Sequence, residues 1–317
     1  MIFGTLPDGR DVERVTITNG DLSASILTYG AILQDVRLKG VDHSLTIGSE
    51  NLDDYLTTMA HFGPIVAPVA NRIAGARARI AGIEHMLTPN QGRHILHSAE
   101  AGSQRKLWTI EEQTEDTVTL SVRLPDGEAG FPGNQDVMVH FAILADNVLR
   151  LEVTAKTDED SIINICNHSY WNLSGAPNIV GHQLQIRADE YLPTDDDNLP
   201  THIERVEDTP YDFRTMRDVI PGEPDLDHNF CLSRGRTDLR DVLTFKGGDL
   251  TMVMATDMPG IQVYDARGSS KTGRADYAGL AFEPQFWPNA PHEARFPKIN
   301  VPAGGVWTQE AEWRFSR

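Results

Sequence analysis

Apolar and polar residues alternate along much of the chain with a period of two. Residues 149–156 change character at every position. Two further segments show the same period, with aligned apolar faces formed by Val118, Leu120, Val122 and Leu124 in one and by Trp307, Ala311, Trp313 and Phe315 in the other. Because successive side chains of a strand point to opposite faces, this alternation predicts strands that each have one buried face.

Short β-rich segments continue through the chain and are separated by turn dipeptides such as Asn-Gly, Asp-Gly and Pro-Gly. They lie at residues 15–18, 31–38, 136–144, 183–187, 250–255 and 260–266. The best helical pattern, at residues 51–59, covers only a couple of turns. The sequence therefore predicts an all-β fold in which residues 1–317 form one large antiparallel domain, a sandwich rather than a small barrel.

The charge balance narrows the classes of partner. The chain has 28 Lys and Arg against 46 Asp and Glu, a net charge of −18. Such a charge repels phosphate backbones and anionic lipid, so we expect no nucleic-acid or membrane partner and favour a neutral or cationic small ligand. Only two cysteines are present, and neither a secretory signal nor an apolar run of about 20 residues is recognisable. We expect a cytoplasmic protein.

Several side chains suggest chemistry in places where the strand pattern predicts burial. Glu283 ends an apolar run, where loss of solvent raises the pKa of a carboxyl unless an Arg pairs with it. His168 lies in an aromatic-rich segment and is either a titrating group or a hydrogen-bonded structural residue. Trp171, Phe286 and Trp287 have faces suited to stacking on a sugar ring, although buried aromatic residues usually belong to the core.

Other candidates also have two interpretations. Arg72 either clamps a ligand with its planar set of donors or bonds loop carbonyls. Asp227 is read as a turn cap or as a functional carboxylate. His94 and His97 have a spacing that permits a metal site, but neither Cys nor a carboxylate stands near them in the sequence. No phosphate-binding loop or nucleophile elbow is present, which disfavours phosphoryl transfer and serine hydrolysis.

Eight polar and aromatic segments follow one another along nearly the whole chain. They are Asn-Arg-Ile at 71–73, Leu-His at 96–97, Asn-His-Ser-Tyr-Trp-Asn-Leu at 167–173, Tyr-Leu-Pro-Thr at 191–194, Thr-Pro-Tyr-Asp-Phe-Arg at 209–214, Asp-His-Asn-Phe at 227–230, Gly-Ile-Gln-Val-Tyr at 260–264 and Glu-Pro-Gln at 283–285. In this order they resemble the aldose 1-epimerase (galactose mutarotase) family. The resemblance implies a β-supersandwich fold and cofactor-independent interconversion of the α and β anomers of a free aldose such as galactose or glucose.

The resemblance also implies roles for individual residues. Glu283 matches the family's catalytic base and His168 its catalytic acid. Six further positions match residues that bind the sugar's hydroxyls or lie beside its ring oxygen, namely Asn71, Arg72, His97, Tyr170, Asp227 and Gln262. No metal ligand is implied. The expected partner is a monosaccharide, and both a monomer and a homodimer stay open.

Three departures from the family pattern bear on substrate identity. Ala-Pro-Val-Ala stands at 67–70, Ser-Ala at 98–99 and Asp-Ala-Arg at 265–267, where the family usually has a Gly-Arg pair, two glycines and Thr-Gly-Asn. Three alternatives also stay open: a hexose-phosphate epimerase, a glycosidase that uses Glu283 with Asp227, and a sugar-binding module without catalysis. The preferred aldose and the metabolic pathway are not determined by the sequence.

Overall fold

The structure is a computed structural model that describes all residues from 1 to 317. The first thirteen strands in chain order are β1 (Ile2–Thr5), β2 (Asp11–Asn19), β3 (Leu22–Leu27), β4 (Ile32–Leu38), β5 (Ile65–Val66), β6 (Arg72–Ile73), β7 (Arg77–Ile80), β8 (Ile83–Met86), β9 (Ile95–Leu96), β10 (Thr109–Gln113), β11 (Thr117–Leu124), β12 (Gln135–Leu144) and β13 (Val148–Thr157). The others are β14 (Ser161–Ile162), β15 (Cys166–Asn167), β16 (Tyr170–Trp171), β17 (Gln183–Ile186), β18 (Glu190–Leu192), β19 (Glu204–Arg205), β20 (Arg217–Asp218), β21 (Asp227–Cys231), β22 (Arg240–Gly247), β23 (Leu250–Thr256), β24 (Gly260–Tyr264), β25 (Leu280–Gln285), β26 (Asn300–Val301) and β27 (Val306–Ser316). One α-helix, α1 (Leu52–Leu56), and six short 3₁₀ turns complete the chain, the turns being Ala74–Ala76, Ala99–Ala101, Ser103–Arg105, Glu128–Gly130, Ser269–Thr272 and Ala290–His292.

Three larger antiparallel sheets contain nineteen of these strands, and the other eight form four two-stranded sheets, β5-β15, β6-β9, β7-β8 and β14-β26. A four-stranded sheet follows the chain order β1-β2-β3-β4, and a nine-stranded sheet has the order β10-β11-β12-β13-β27-β23-β22-β17-β20. A six-stranded sheet has the order β16-β25-β24-β21-β18-β19. The last long strand, β27, inserts between β13 and β23, so the end of the chain joins the two halves of the nine-stranded sheet.

The nine-stranded and six-stranded sheets pack face to face through aromatic side chains. The ring centroids of Trp171 and Trp313 are 5.6 Å apart, and those of Phe245 and Phe282 are 5.2 Å apart. These contacts belong to one core of 73 buried residues. Burial of apolar surface between the two sheets is the main source of stability, and the predicted sandwich is confirmed.

The other face of the six-stranded sheet is partly covered by the N-terminal region. Tyr170 and Ala281 lie on this face, and they join a second cluster of 12 buried residues with side chains from β2, β4 and α1. Phe62 stacks on Tyr170 with a centroid distance of 4.2 Å. The six-stranded sheet is therefore covered by the nine-stranded sheet on one face and in part by the N-terminal region on the other, where Glu283 is 2% exposed.

The regular two-residue patterns predict the strands well. Residues 117–124 form β11, residues 149–156 lie within β13 and residues 307–315 lie within β27. Of the aligned apolar residues only Val122 is not fully buried. The helix is shorter than residues 51–59, and no helix in the structure has the length and apolar character needed to cross a membrane.

We expect Leu151→Ala to lower the free energy of unfolding by about 2–5 kcal/mol, the usual cost of truncating a buried leucine. Leu151 is 1% exposed and pairs with Phe141 on one side and with Ala311 on the other. Urea unfolding followed by fluorescence measures the change. The exposed neighbour Glu152 gives a matched control, since Glu152→Ala should cost about 0.5 kcal/mol or less.

Candidate active site

A cavity of about 240 Å³ lies on the second face of the six-stranded sheet. Eleven residues line it, namely His61, Asn71, Arg72, Leu96, His97, His168, Tyr170, Asp227, Gln262, Tyr264 and Glu283. A larger cleft of about 570 Å³ runs beside β4 and contains none of the eight predicted site residues. We assign the site to the smaller cavity because the titratable groups with displaced pKa values converge there.

The register of four strands brings several of these side chains to one face. Gln262 on β24 pairs directly with Glu283 on β25. Tyr170 on β16 lies opposite the residue two positions before Glu283, and Asp227 on β21 lies opposite the residue two positions after Gln262. Because residues an even number of positions apart share a face, all four side chains point into the same cavity.

Two short loops add two further polar groups through left-handed backbone conformations. Asn71 has φ 62° and His97 has φ 50°, values that are uncommon outside glycine but relatively frequent for Asn and His. The Asn71 N–H donates to His97 Nδ1 at 3.1 Å, and the His97 N–H donates to the Asn71 carbonyl at 3.1 Å. With Nδ1 accepting, a neutral His97 carries its proton on Nε2 and offers it as a donor.

Glu283 and His168 form the central pair of the cavity. His168 Nε2 lies 3.3 Å from Glu283 Oε1, and the side chains are 6% and 2% exposed. Burial, reinforced by the charge of Asp227, raises the pKa of Glu283 to about 8, while burial lowers the pKa of His168 to about 3. Between these values the pair holds one proton, which resides on Glu283 in the free protein.

Cys166 contacts the second oxygen of this carboxyl group. Its thiol donates to Glu283 Oε2 at 3.5 Å, and the cysteine is fully buried on β15. This contact and the charge of Arg72 both favour the ionised form and partly oppose the effect of burial on the pKa of Glu283. The thiol is also the only side chain that contacts Oε2 by a hydrogen bond, so it fixes the orientation of the carboxyl group.

A second cluster of polar side chains surrounds Asp227. Gln262 Nε2 donates to Asp227 Oδ1 at 2.7 Å, and Arg72 Nη2 lies 3.7 Å from Asp227 Oδ2. Arg72 also donates through Nε to Gln91 Oε1 at 2.7 Å. Asp227 begins strand β21, so the turn-cap interpretation is wrong. Arg72 faces Asp227 and does not form an ion pair with Glu283. Such an ion pair was the alternative to a raised pKa of Glu283.

All eight residues expected at the site line this one cavity, whereas none of the residues of the three sequence departures lines it. The Ser98 hydroxyl donates to the Val69 carbonyl and accepts from the Val69 N–H, both at 2.9 Å, so two departures contact each other. In the third departure, Asp265 accepts from the Leu226 N–H at 3.1 Å and pairs with Arg267. This contact supports the backbone next to Asp227.

The structure decides between interpretations that the sequence left open. Trp171 and Trp287 are fully buried core residues and Phe286 is 7% exposed, so none of them offers a face to the cavity. His94 lies outside the cavity and contacts Asp197 at 3.1 Å. No group of three or more His, Cys, Asp and Glu side chains is arranged to hold a metal ion.

Three cavity residues were not predicted, namely His61, Leu96 and Tyr264. Leu96 and Tyr264 stand within recognised segments, as a direct neighbour of His97 and two positions after Gln262. His61 carries no local sequence pattern that indicates a site. It lies more than 30 positions from His97 and more than 100 from His168, the histidines it approaches in the fold.

The chain is similar to known proteins in both sequence and structure. Residues 13–314 match the family described as Aldose 1-epimerase. The chain is 31% identical to an aldose 1-epimerase of Haemophilus influenzae, with 98% of this chain and 97% of the relative aligned. It is 32% identical to a galactose mutarotase of Mus musculus over 99% and 97% of the two chains. A solved aldose epimerase homologue from C. elegans superimposes with a TM-score of 0.89 at 28% identity, over 96% of this chain and 99% of that one.

Proposed function

The chain belongs to the aldose 1-epimerase family of isomerases, which interconvert the α and β anomers of a free aldose, and we propose that Glu283 and His168 carry out the proton transfers. The fold is accordingly that of the galactose mutarotase-like proteins. The observation that carries the proposal is the 3.3 Å contact between His168 Nε2 and Glu283 Oε1, two buried side chains that line the cavity.

Exchange of anomers requires one base and one acid. The base takes the proton of the C1 hydroxyl while the acid gives a proton to the ring oxygen, and the C1–O5 bond breaks to leave an aldehyde. The aldehyde turns about C1–C2, and ring closure on its other face reverses both transfers. With Glu283 as base and His168 as acid, the pair holds one proton both before and after ring opening.

The protonation of the free protein fits this cycle in a specific way. Ring opening converts a Glu283 carboxylate and a His168 imidazolium into a Glu283 acid and a neutral His168. The second state is the one that burial favours in the empty cavity. To begin from the cyclic sugar, the proton passes from Glu283 to His168 across their contact, which changes the tautomer of the pair but not its total charge.

A positioned acid–base pair has a large catalytic effect. A positioned acid or base contributes about 10²–10⁴-fold, so a pair of independent groups would supply at most roughly 5–11 kcal/mol at 1.36 kcal/mol for each factor of ten. Both groups act in one step, so losses from the single variants should not add. The cavity strengthens these effects because its groups are fixed before the sugar binds.

The cluster of polar side chains around Asp227 is suited to binding the sugar while the aldehyde turns about C1–C2. We infer that Asp227, Gln262 and Arg72 bind the hydroxyls beyond C1, with Asn71, His97 and Tyr170 completing the cavity wall. Arg72 is the only cationic residue in the lining and already faces Asp227. A phosphate group calls for two or more convergent cations, so these residues favour an uncharged monosaccharide.

The extent of the main core bears on the number of domains. The main core takes side chains from Val15 to Phe315. On this basis we infer that residues 1–317 act as one domain. A cytoplasmic location stays a prediction.

Polarimetry tests the proposed activity. Freshly dissolved α-D-galactose and α-D-glucose are followed with and without the protein in a buffer that contains a chelator. We expect a faster approach to an unchanged final rotation, and no release of nitrophenol from a nitrophenyl galactoside. Release of nitrophenol would indicate the glycosidase reaction instead.

Cys166→Ser is expected to move the alkaline limb of the pH profile of kcat/KM to lower pH. The pair loses its one proton above about pH 8, the pKa of Glu283, so activity falls as the pH rises through that value. A hydroxyl is a stronger donor than a thiol and favours the carboxylate, which lowers the pKa of Glu283 by about half a unit or more. Cys166→Ala should move the limb the other way. Identical limbs in all three proteins would exclude the thiol from this role.

A further inference from the structure

His61 lies in the cavity beside two of the predicted site residues. It belongs neither to the pair formed by Glu283 and His168 nor to the cluster around Asp227. Its ring centroid is 5.0 Å from that of His97 and 6.0 Å from that of His168. Backbone hydrogen bonds fix this position: the Gly63 N–H donates to the His168 carbonyl, and the His168 N–H donates to the Pro64 carbonyl, both at 2.9 Å. The place of His61 beside His168 is therefore set by main-chain pairing.

The ring of His61 has unused hydrogen-bonding capacity. Nδ1 is buried and has no partner, and no side-chain hydrogen bond in the structure includes this ring. Burial, together with the charge of Arg105, lowers the pKa of His61 to about 4, so the ring is neutral at pH 7. A neutral imidazole has one donor and one acceptor. Buried polar atoms almost always find a partner, and a sugar hydroxyl can serve either nitrogen.

The order of groups around the cavity matches the order of atoms around a pyranose. In the sugar, the C2 hydroxyl, C1, the ring oxygen and C5 with its substituent follow one another. In the cavity, the Asp227 and Gln262 pair lies beside Glu283, Glu283 contacts His168, and His168 lies beside His61. With C1 at Glu283 and the ring oxygen at His168, C5 and its substituent point toward His61.

We propose that His61 binds the exocyclic hydroxymethyl group on C5 and thereby makes the site select hexoses over the matching pentoses. His97 lies on the same side, but its Nδ1 is already occupied by the Asn71 N–H. His97 therefore keeps only its Nε2–H as a donor, whereas neither nitrogen of His61 has a partner, so His61 can both donate to this hydroxyl and accept from it. The inference rests on the proposed function, because it takes the orientation of the sugar from the roles of Glu283 and His168.

Two sugars that differ only in this group provide the test. L-arabinose has the ring configuration of D-galactose but lacks the hydroxymethyl group. We would measure kcat/KM for both sugars by polarimetry and Kd for both by titration calorimetry, using wild type, His61→Phe and His61→Gln. Phenylalanine keeps the ring but removes both nitrogens, and glutamine restores a donor and an acceptor. His202→Phe, at an exposed histidine outside the cavity, is the matched control.

The expected result is a change in selectivity. In His61→Phe the ratio of kcat/KM for galactose to that for arabinose should fall about tenfold, the effect of one lost hydrogen bond. His61→Gln should recover part of the ratio, and His202→Phe should keep it. Equal losses on both sugars, or an unchanged ratio in His61→Phe, would overturn the proposal.

The binding data separate this inference from the proposed activity. Anomer exchange does not consume the sugar, so Kd is measured on the wild-type protein at equilibrium. If wild type accelerated neither sugar, the proposed activity would fail, while the ratio of the two Kd values in wild type and His61→Phe would still decide whether His61 contacts the hydroxymethyl group. Thermal unfolding of each variant identifies any loss that comes from misfolding.

Discussion

Glu283→Gln is expected to lower kcat/KM by about 10²–10⁴-fold, the usual contribution of a positioned general base. The amide has the shape of the carboxyl group but cannot accept the proton of the C1 hydroxyl. Because Glu283 is 2% exposed and carries its proton in the free protein, a neutral amide should also preserve the fold. Initial rates from polarimetry give the loss in activity.

Two controls make this result specific. Sugar binding by Glu283→Gln, measured by calorimetry, should stay close to the wild-type value because the groups around Asp227 are untouched. Glu152→Gln, on an exposed part of β13, should keep full activity. Wild-type exchange rates in Glu283→Gln would remove this residue from the mechanism.

His168→Gln should cause a loss of similar size, about 10²–10⁴-fold in kcat/KM. The variant removes the group that protonates the ring oxygen and leaves Glu283 without its partner at 3.3 Å. Since the two groups act in one step, the double variant should be only slightly less active than either single variant. Polarimetry of the four proteins measures this coupling.

The same series tests which imidazole is the acid. If His168→Gln kept wild-type activity, the acid role would pass to His97, whose Nε2–H is free to donate because Nδ1 accepts from Asn71. Losses that multiplied in the double variant would show that Glu283 and His168 act in separate steps. Either result would contradict the paired mechanism.

The sequence predicts strands best where one face meets the core along the whole strand. β11, β13 and β27 keep a regular two-residue alternation, and their bounds follow from it. β22 was not predicted because its register shifts between Asp241 and Leu243, and four consecutive residues after that point are buried. The order of the strands in the sheets is harder still to predict from the sequence, because it depends on pairing between residues as distant as Leu149 and Trp313.

The sequence likewise predicts some features of the site and misses others. The eight expected residues came from a resemblance carried by short segments, and the fold brings them to one cavity. His61 was not found because its relation to His168 depends on pairing near Gly63 and Pro64 rather than on a sequence motif. The sequence also predicts only part of the reason why Glu283 is protonated in the free protein. Its raised pKa follows from the apolar run, but the added effect of Asp227 depends on the register of three strands.

The central claim is that this cavity exchanges the anomers of a free aldose through Glu283 and His168. Magnetisation transfer between the α and β C1 signals of D-galactose labelled with ¹³C at C1 measures that exchange at equilibrium, without any coupled reaction. We predict rapid transfer with wild type at pH 7 and transfer at the buffer rate with Glu283→Gln. Transfer at the buffer rate with wild type, or at the wild-type rate with Glu283→Gln, would contradict the account.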